Sequence, residues 1–328
     1  MNSELRQDLV SGDWIVIAPR RAKRPHQLIS GKRKAKRVKA PVKGCPFEGD
    51  FLEFHKTFLV YKRDGGWEVA IIENKYPVFS HKNICGEIFR KGPYSIMEGV
   101  GHHDLVITPD HHKNFAHLNR EAANLVFRAF RDRYLMLFND PCLAYISIFH
   151  NWGPKAGASI YHPHYQLIAV PIVPPDVEHS LEGSSRYFRN NKKCVHCTMI
   201  EWEKKKKERI IYENKGAIVF TPFVSREPFE LRVFPKKHLP YFENTLDDDL
   251  EYVVDALQAA LTKIEKRLYD PDYNFFIHTA PILNKNQYKH YHWHVEIQPK
   301  ISISAGFELG TGIEITAVEP EEAAKILR

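Results

Sequence analysis

The chain carries one pattern twice, and this duplication constrains its fold more than any other feature. In each copy a helical pattern leads to Asp-Pro, and a His-x-His triplet follows 21 residues after the proline. The copies are Asp140-Pro141 with His162-Pro163-His164, and Asp270-Pro271 with His292-Trp293-His294. A cysteine motif and a lone histidine precede each helical pattern. We therefore expect two related halves of one ancestral fold.

The residues around these triplets predict the local structure. The apolar run over 167–173 is typical of a buried strand, so His162 and His164, two positions apart, are expected on one face. One imidazole can then hold a metal while the other does chemistry. Apolar residues recur at spacings of three and four over 125–138 and 250–268, which predicts two helices, the second beginning at Thr245.

Composition limits the class of protein. A length of 328 residues suggests about two domains, and no apolar run approaches the length of a membrane helix. The charged stretch 1–8 does not resemble a signal peptide, so we expect a cytoplasmic protein with no membrane partner. Three of the five cysteines lie in metal-like contexts, which favours thiolate ligands over disulfides, and Cys85 and Cys142 are expected to be free thiols.

The net charge of +7 is concentrated in two basic runs, 32–43 and 204–207. A solvated loop and an exposed helix start explain them, and attraction for phosphate groups or nucleic acid is the alternative. Since no aromatic interleaving or known nucleic-acid module accompanies them, we expect no nucleic-acid partner.

Several segments, in the same order along the chain, resemble the galactose-1-phosphate uridylyltransferase family of the histidine-triad superfamily. They are 13–25, 74–77, 109–111, 149–166 and the tail 306–314, and the tail is most similar to a branch of plant nucleotide-sugar phosphorylases. The resemblance implies an α+β fold. Two histidine-triad-like halves, 1–178 and 190–328, would form one antiparallel half-barrel sheet with packed helices.

The resemblance also implies ping-pong transfer of a nucleotidyl group through a covalent intermediate on His164. A neutral imidazole attacks phosphorus without the repulsion that an anionic nucleophile would meet. Its other ring nitrogen must be fixed by a hydrogen bond, and the resemblance suggests a backbone carbonyl close to His162. His294 occupies the matching place in the second half, which lacks the glycine-rich approach and the glutamine.

The family assigns further residues to the substrate. Gln166 shares the face of His164 and can donate to the phosphoryl oxygens, as a catalytic donor. The resemblance places Asn151, Ser159, Gln166, Arg21 and Arg24 at the diphosphate, Asn74 at the ribose and Phe307 near the active site of a partner in a homodimer. His102 and His103 are expected at a strand edge, without a role as ligands.

Two sets of residues have the composition of metal sites. Cys194 and Cys197, with His238 and His292, form a Cys2His2 set typical of structural zinc. Cys45, Glu48, His111 and His162 form the other set, in which a carboxylate replaces a thiolate. That second set suits zinc, iron or no metal.

Three functions are considered from the sequence, and we expect the first. The first is a nucleotidyltransferase that converts UDP-glucose and galactose 1-phosphate into glucose 1-phosphate and UDP-galactose. The second is an ADP-glucose or UDP-glucose phosphorylase, favoured by Thr311-Gly312 where galactose-specific members often carry Tyr-Glu. The third is a basic nucleic-acid-binding protein, whose binding would weaken steeply with salt. The base, the acceptor, the metal at the Cys45 set and the role of His294 stay open.

Overall fold

A computed structural model describes residues 2–23, 39–63, 65–82 and 84–328. The strands are β1 Glu4–Gln7, β2 Trp14–Ile17, β3 Thr57–Arg63, β4 Gly66–Glu73, β5 Ile88–Lys91, β6 Tyr94–Met97, β7 His102–Ile107, β8 Tyr145–Trp152, β9 His164–Val170, β10 Ile210–Glu213, β11 Ala217–Phe220, β12 Leu231–Pro235, β13 Tyr273–His278, β14 His294–Pro299 and β15 Ile315–Thr316. The α-helices are α1 Phe51–Phe54, α2 Arg120–Leu137, α3 Pro175–Asn191, α4 Val195–Lys206, α5 Asp247–Leu268, α6 Gly306–Thr311 and α7 Pro320–Leu327. Short 3₁₀ turns occupy Pro19–Lys23, Phe115–His117, Pro154–Ala156 and Phe242–Asn244.

A ten-stranded antiparallel sheet organises the molecule, in the order β10-β11-β12-β14-β13-β8-β9-β7-β4-β3. The order is symmetric about the β13–β8 pair. Counting only the strands of this sheet, each half runs strand, strand, strand, long helix, strand, strand along the chain. This arrangement confirms the α+β fold with a large antiparallel sheet.

One face of the sheet is covered by the two long helices, and His164 and His294 lie on the other face. Along β9, Tyr165, Leu167 and Ala169 belong to the main hydrophobic core together with apolar residues of α2 and α5. Side chains alternate along a strand, so His164 and Gln166 lie on the opposite face. Both predicted helices are present, as α2 and α5; Asn119 caps α2 by accepting the Ala122 N–H at 2.7 Å.

The two ends of the chain meet. β2 pairs with β1 and, in parallel, with β15, and Arg6 donates two hydrogen bonds to Glu321 at 3.0 and 3.1 Å. The first residues thus pack on the last ones. The division into 1–178 and 190–328 stays a prediction.

Three local expectations are wrong. Cys85 and Cys142 form a disulfide, with Cα atoms 4.9 Å apart. The second helix begins at Asp247, since Thr245 ends the preceding 3₁₀ turn. Strand β9 begins at His164, so alternation along the strand does not reach His162, and a shared face for the two histidines stays a prediction.

The basic run 204–207 is the third. It lies at the end of α4, where lysines interact favourably with the helix dipole, and not at a helix start. Most of the other basic run, 32–38, lies outside the described residues. No helix in the described part of the chain is long and apolar enough to cross a membrane.

Candidate active site and metal centres

His164 is held in the tautomer that a nucleophile needs. Its Nδ1 lies 2.9 Å from the carbonyl oxygen of His162. A carbonyl can only accept, so Nδ1 carries the hydrogen and Nε2 keeps its lone pair. Burial lowers the pKa of His164 below its ordinary value, which favours the neutral ring.

A second histidine supports this segment from behind the sheet. His150 is fully buried on β8, and its Nδ1 donates to the carbonyl oxygen of His164 at 2.8 Å. Burial lowers the pKa of His150 to about 3, so the ring is neutral at physiological pH. Sequence reasoning missed this residue; the signal was a histidine on an otherwise apolar face of a strand.

Gln166 belongs to a network that fixes its side-chain amide. The Val78 N–H donates to Nδ1 of His103 at 3.2 Å, so the ring hydrogen lies on Nε2. That Nε2–H donates to Oε1 of Gln166 at 2.9 Å. Since its oxygen is engaged, Gln166 presents its NH2 group as the remaining donor.

Asn74 lies beside this network. Its Oδ1 accepts the Tyr76 N–H at 3.0 Å, and its Nδ2 lies 3.0 Å from Nε2 of His103; both of those nitrogens carry hydrogen, so the side chains are in contact without a hydrogen bond. The expectation that His103 marks a strand edge is wrong, because β7 lies between β9 and β4 inside the sheet. The structure therefore brings Asn74 and Gln166 together through a residue that had been given no role.

The glycine-rich turn after β8 is fixed from the second half of the chain. Asn274 of β13 donates through Nδ2 to Oδ1 of Asn151 and to the carbonyl of Ala156, both at 2.8 Å. Gly153 and Gly157 have φ values of +88° and +87°, which favour glycine. Ser159 follows on this turn and is exposed. Asn274 had not been predicted from the sequence, because only the β13–β8 register brings it opposite Asn151.

The remaining predicted binding residues lie apart in the chain. Arg21 is half-buried in the 3₁₀ turn after β2. Arg24 lies outside the described residues. Phe307 lies in α6 and is 49% exposed. Their roles stay predictions.

The four residues of the predicted Cys45 metal set lie together. Ligand atoms of Cys45, Glu48, His111 and His162 are all within 4.8 Å of one another. Nδ1 of His162 lies 3.6 Å from Cys45 Sγ and 3.2 Å from Glu48 Oε1. Its Nε2 donates to the Thr108 carbonyl at 2.7 Å, which leaves Nδ1 free to bind a cation.

The Cys194 set has the same design. Nδ1 of His238 and of His292 lies 3.4 and 3.5 Å from Cys197 Sγ, while their Nε2 atoms donate to the carbonyls of Lys289 and Pro235. Cys194 completes the group, whose ligand atoms lie within 4.8 Å of one another. Both sets therefore fit a tetrahedral metal with a hydrogen-bonded outer layer.

His294 occupies the place of His164 but has different neighbours. Its Nδ1 lies 3.2 Å from the His292 carbonyl, which repeats the geometry of the first half. Two positions on, however, Glu296 stands where the first half has Gln166, and Arg232 and His278 contact its carboxylate. A carboxylate there repels a diphosphate, so this half lacks the donor that the first half offers.

Comparisons with known proteins agree with this geometry. Residues 1–174 match the model of the galactose-1-phosphate uridyl transferase N-terminal domain, and 100–327 match a domain of unknown function, DUF4921. An ADP-glucose phosphorylase from Arabidopsis thaliana is 34% identical over 99% of this chain and 92% of its own. A galactose-1-phosphate uridylyltransferase from Thermotoga maritima is 26% identical over 99% of this chain and 98% of its own.

Solved structures give the same result. The crystal structure of an Arabidopsis thaliana ADP-glucose phosphorylase with bound ADP-glucose superposes with a TM-score of 0.84 at 32% identity, covering 100% of this chain and 99% of the other. A uridylyltransferase structure gives 0.74 at 27% identity, covering 99% and 97%. The chain therefore belongs to the galactose-1-phosphate uridyl transferase family.

Proposed function

We propose that this protein transfers a nucleotidyl group from a nucleotide sugar to inorganic phosphate, through a covalent intermediate on His164. The observation that carries the proposal is the hydrogen bond from His164 Nδ1 to the His162 carbonyl. It leaves Nε2 as an uncharged nucleophile on the face of the sheet opposite the two long helices.

In the first half-reaction, Nε2 attacks the phosphorus bonded to the nucleoside. A phosphorus–nitrogen bond forms, and the bond from that phosphorus to the bridging oxygen breaks. The sugar 1-phosphate leaves with the bonding electron pair. In the second half-reaction, an oxygen of inorganic phosphate attacks the same phosphorus and His164 is released, which yields a nucleoside diphosphate.

Gln166 would donate to the phosphoryl oxygens as their charge develops. Its amide oxygen is already held by His103, so no reorientation is needed at the moment of reaction. Asn151 and Ser159 would contact the diphosphate from the glycine-rich turn, and Asn74 the ribose. Arg21 and Arg24 would add guanidinium donors.

Similarity supports phosphate as the acceptor and ADP-glucose as the donor. The Arabidopsis phosphorylase is 34% identical to this chain, against 26% for the Thermotoga uridylyltransferase. The phosphorylase structure carries ADP-glucose. Thr311-Gly312 in the tail also supports the phosphorylase.

Uridylyl transfer between UDP-glucose and galactose 1-phosphate, which the sequence had favoured, is the second candidate. The match of 1–174 to the uridyl transferase domain supports it. Both candidates share His164 and the first half-reaction. Nucleic-acid binding gains no support from the residues described.

Zinc would fill the Cys194 set, and a second zinc or iron the Cys45 set. Such an ion would have a structural role. It would link the residue just before β9 or β14 to a cysteine motif that is distant in the sequence. His162 would bind the ion of the Cys45 set through Nδ1, which fixes the main-chain carbonyl that supports His164. His292 would bind the ion of the Cys194 set in the same way. A homodimer with Phe307 near the partner's His164, in the cytoplasm, completes the proposal.

The acceptor is tested by separating the half-reactions. The nucleotidyl enzyme is formed with ADP-glucose or UDP-glucose, freed of sugar phosphate, and offered inorganic phosphate or galactose 1-phosphate at equal concentration. Loss of the adduct is followed by intact mass. Faster discharge by phosphate is the expected result, whereas faster discharge by galactose 1-phosphate would establish the second candidate.

A further inference from the structure

A third cluster of metal-ligand side chains lies away from both cysteine sets. Ligand atoms of His81, His102 and Asp140 all lie within 4.8 Å of one another. The three residues come from different segments: the loop after β4, the start of β7 and the turn after α2. We propose that His81, His102 and Asp140 form a binding site for a divalent transition-metal ion.

The geometry of His102 and Asp140 suits a shared ion better than a hydrogen bond. Nε2 of His102 lies 3.6 Å from Oδ2 of Asp140, beyond hydrogen-bonding distance. Two ligand atoms, each about 2.1 Å from a tetrahedral metal, lie about 3.4 Å apart. Their side chains are only 11% and 19% exposed. Among the described residues, the buried Nε2 of His102 has no hydrogen-bond partner.

His81 supplies the third ligand from the accessible side. Its ring centroid lies 4.5 Å from that of His102, and its side chain is exposed, so a small rotation brings a ring nitrogen to the ion. Two imidazoles with one carboxylate favour a transition metal, because Mg²⁺ and Ca²⁺ prefer oxygen ligands. Water would complete the coordination.

The surrounding structure holds these three segments in place. Gly101 N–H donates to the Ser80 carbonyl at 3.1 Å, and the Cys142 N–H donates to Asp140 Oδ1 at 2.9 Å. The Cys85–Cys142 disulfide joins the loop to the Asp140 turn. The segments that carry His81 and Asp140 are therefore held together without the ion.

Two neighbouring cations are already paired. Arg133 bonds Asp104 at 2.7 Å, and Lys82 forms an ion pair with Glu98. Their charges are offset locally, so they oppose an ion at Asp140 only weakly. The site also lies beside His103, which bonds Gln166, so an ion here would stiffen the strand that carries that histidine.

Zinc counting tests the site without any catalytic readout, so its failure is distinct from failure of the proposed function. Full-length wild type, His81→Ala and Asp140→Asn are dialysed against micromolar Zn²⁺ without reductant, and bound zinc per chain is measured. The asparagine keeps the acceptor for the Cys142 N–H but loses the negative charge. His117→Ala, which removes an exposed histidine paired with Glu265, is the matched control.

Wild type and His117→Ala should hold one more zinc per chain than His81→Ala. The affinity of the site should fall by at least about 100-fold in that variant, because loss of even an outer partner of a ligand costs about 10- to 100-fold. Loss of one zinc in either cluster variant supports the site. Equal zinc in wild type and in both cluster variants, when the variants have the circular dichroism spectrum of wild type, would overturn it.

Discussion

Nε2 of His103 donates to Oε1 of Gln166 at 2.9 Å, and this contact decides which end of the glutamine amide faces the reaction centre. A free amide can present either its oxygen or its nitrogen. An oxygen there would repel the phosphoryl oxygens, whereas the NH2 group stabilises them. His103 is thus a positioning residue that acts through Gln166.

Replacement of His103 by alanine should slow the first half-reaction by about 10-fold, less than the 10²- to 10³-fold typical for loss of a donor itself. The measurement is the single-turnover rate of nucleotidyl-enzyme formation. Gln166→Ala should cost more, and His103→Ala should add little in the Gln166→Ala background. Fully additive effects would show that His103 does not act through Gln166.

The buried His150 makes stability depend on pH. Its pKa is about 3 in the folded protein, against an ordinary value near 6.5. As pH falls below 6.5, the unfolded chain binds a proton that the folded chain excludes, so stability decreases. Between pH 7 and pH 4 the free energy of unfolding should fall by about 3 kcal/mol more in wild type than in His150→Gln.

Urea titration across this pH range measures the difference. Glutamine retains a donor for the His164 carbonyl but does not titrate, so it is the matched replacement. Parallel pH profiles for the two proteins would show that His150 does not titrate as its burial requires.

Asn274 should matter although it belongs to the second half of the chain. Asn274→Ala removes two hydrogen bonds that fix the glycine-rich turn, so we expect a loss of about 2 kcal/mol in stability. The first half-reaction should slow by about 10-fold, since the turn would no longer be held for the diphosphate. Asn191→Ala, at the exposed end of α3, provides the control and should change neither quantity.

Zinc at the Cys194 set should be structural. Cys197→Ala should lose one zinc per chain and lower the melting temperature, because a structural ion stabilises only the folded state. Met199→Leu, a volume-conserving change two residues away, should retain the metal. An unchanged zinc count in Cys197→Ala would show that the Cys194 set does not hold zinc.

Much of the site was predictable from the sequence, because its key residues lie close together in the chain. The His-Pro-His-Tyr-Gln motif identified His164 and Gln166, and the duplicated order anticipated both four-residue clusters. The supporting contacts were not predictable. His103 reaches Gln166 only through the β7–β9 register, and Asn274 reaches Asn151 only through β13–β8. Cys85 and Cys142, 57 residues apart, gave no spacing signal for their disulfide.

Sharing of the active site between subunits can be tested by mixing two variants, each of which lacks one contribution to the shared site. Phe307→Ala should weaken activity if Phe307 lies near the partner's His164. A dimer of one His164→Ala chain and one Phe307→Ala chain would then contain one intact site, so the mixture should regain activity. Light scattering tests whether a dimer forms, and a mixture with no gain in activity would argue against a shared site.

The most direct test of the central claim is the intact mass of the protein after incubation with ADP-glucose, and separately with UDP-glucose. Wild type should gain one nucleotidyl group per chain with at least one donor, and His164→Ala should gain none. His294→Ala, the matched histidine of the second half, should react like wild type. An adduct of equal yield on His164→Ala would show that His164 is not the nucleophile.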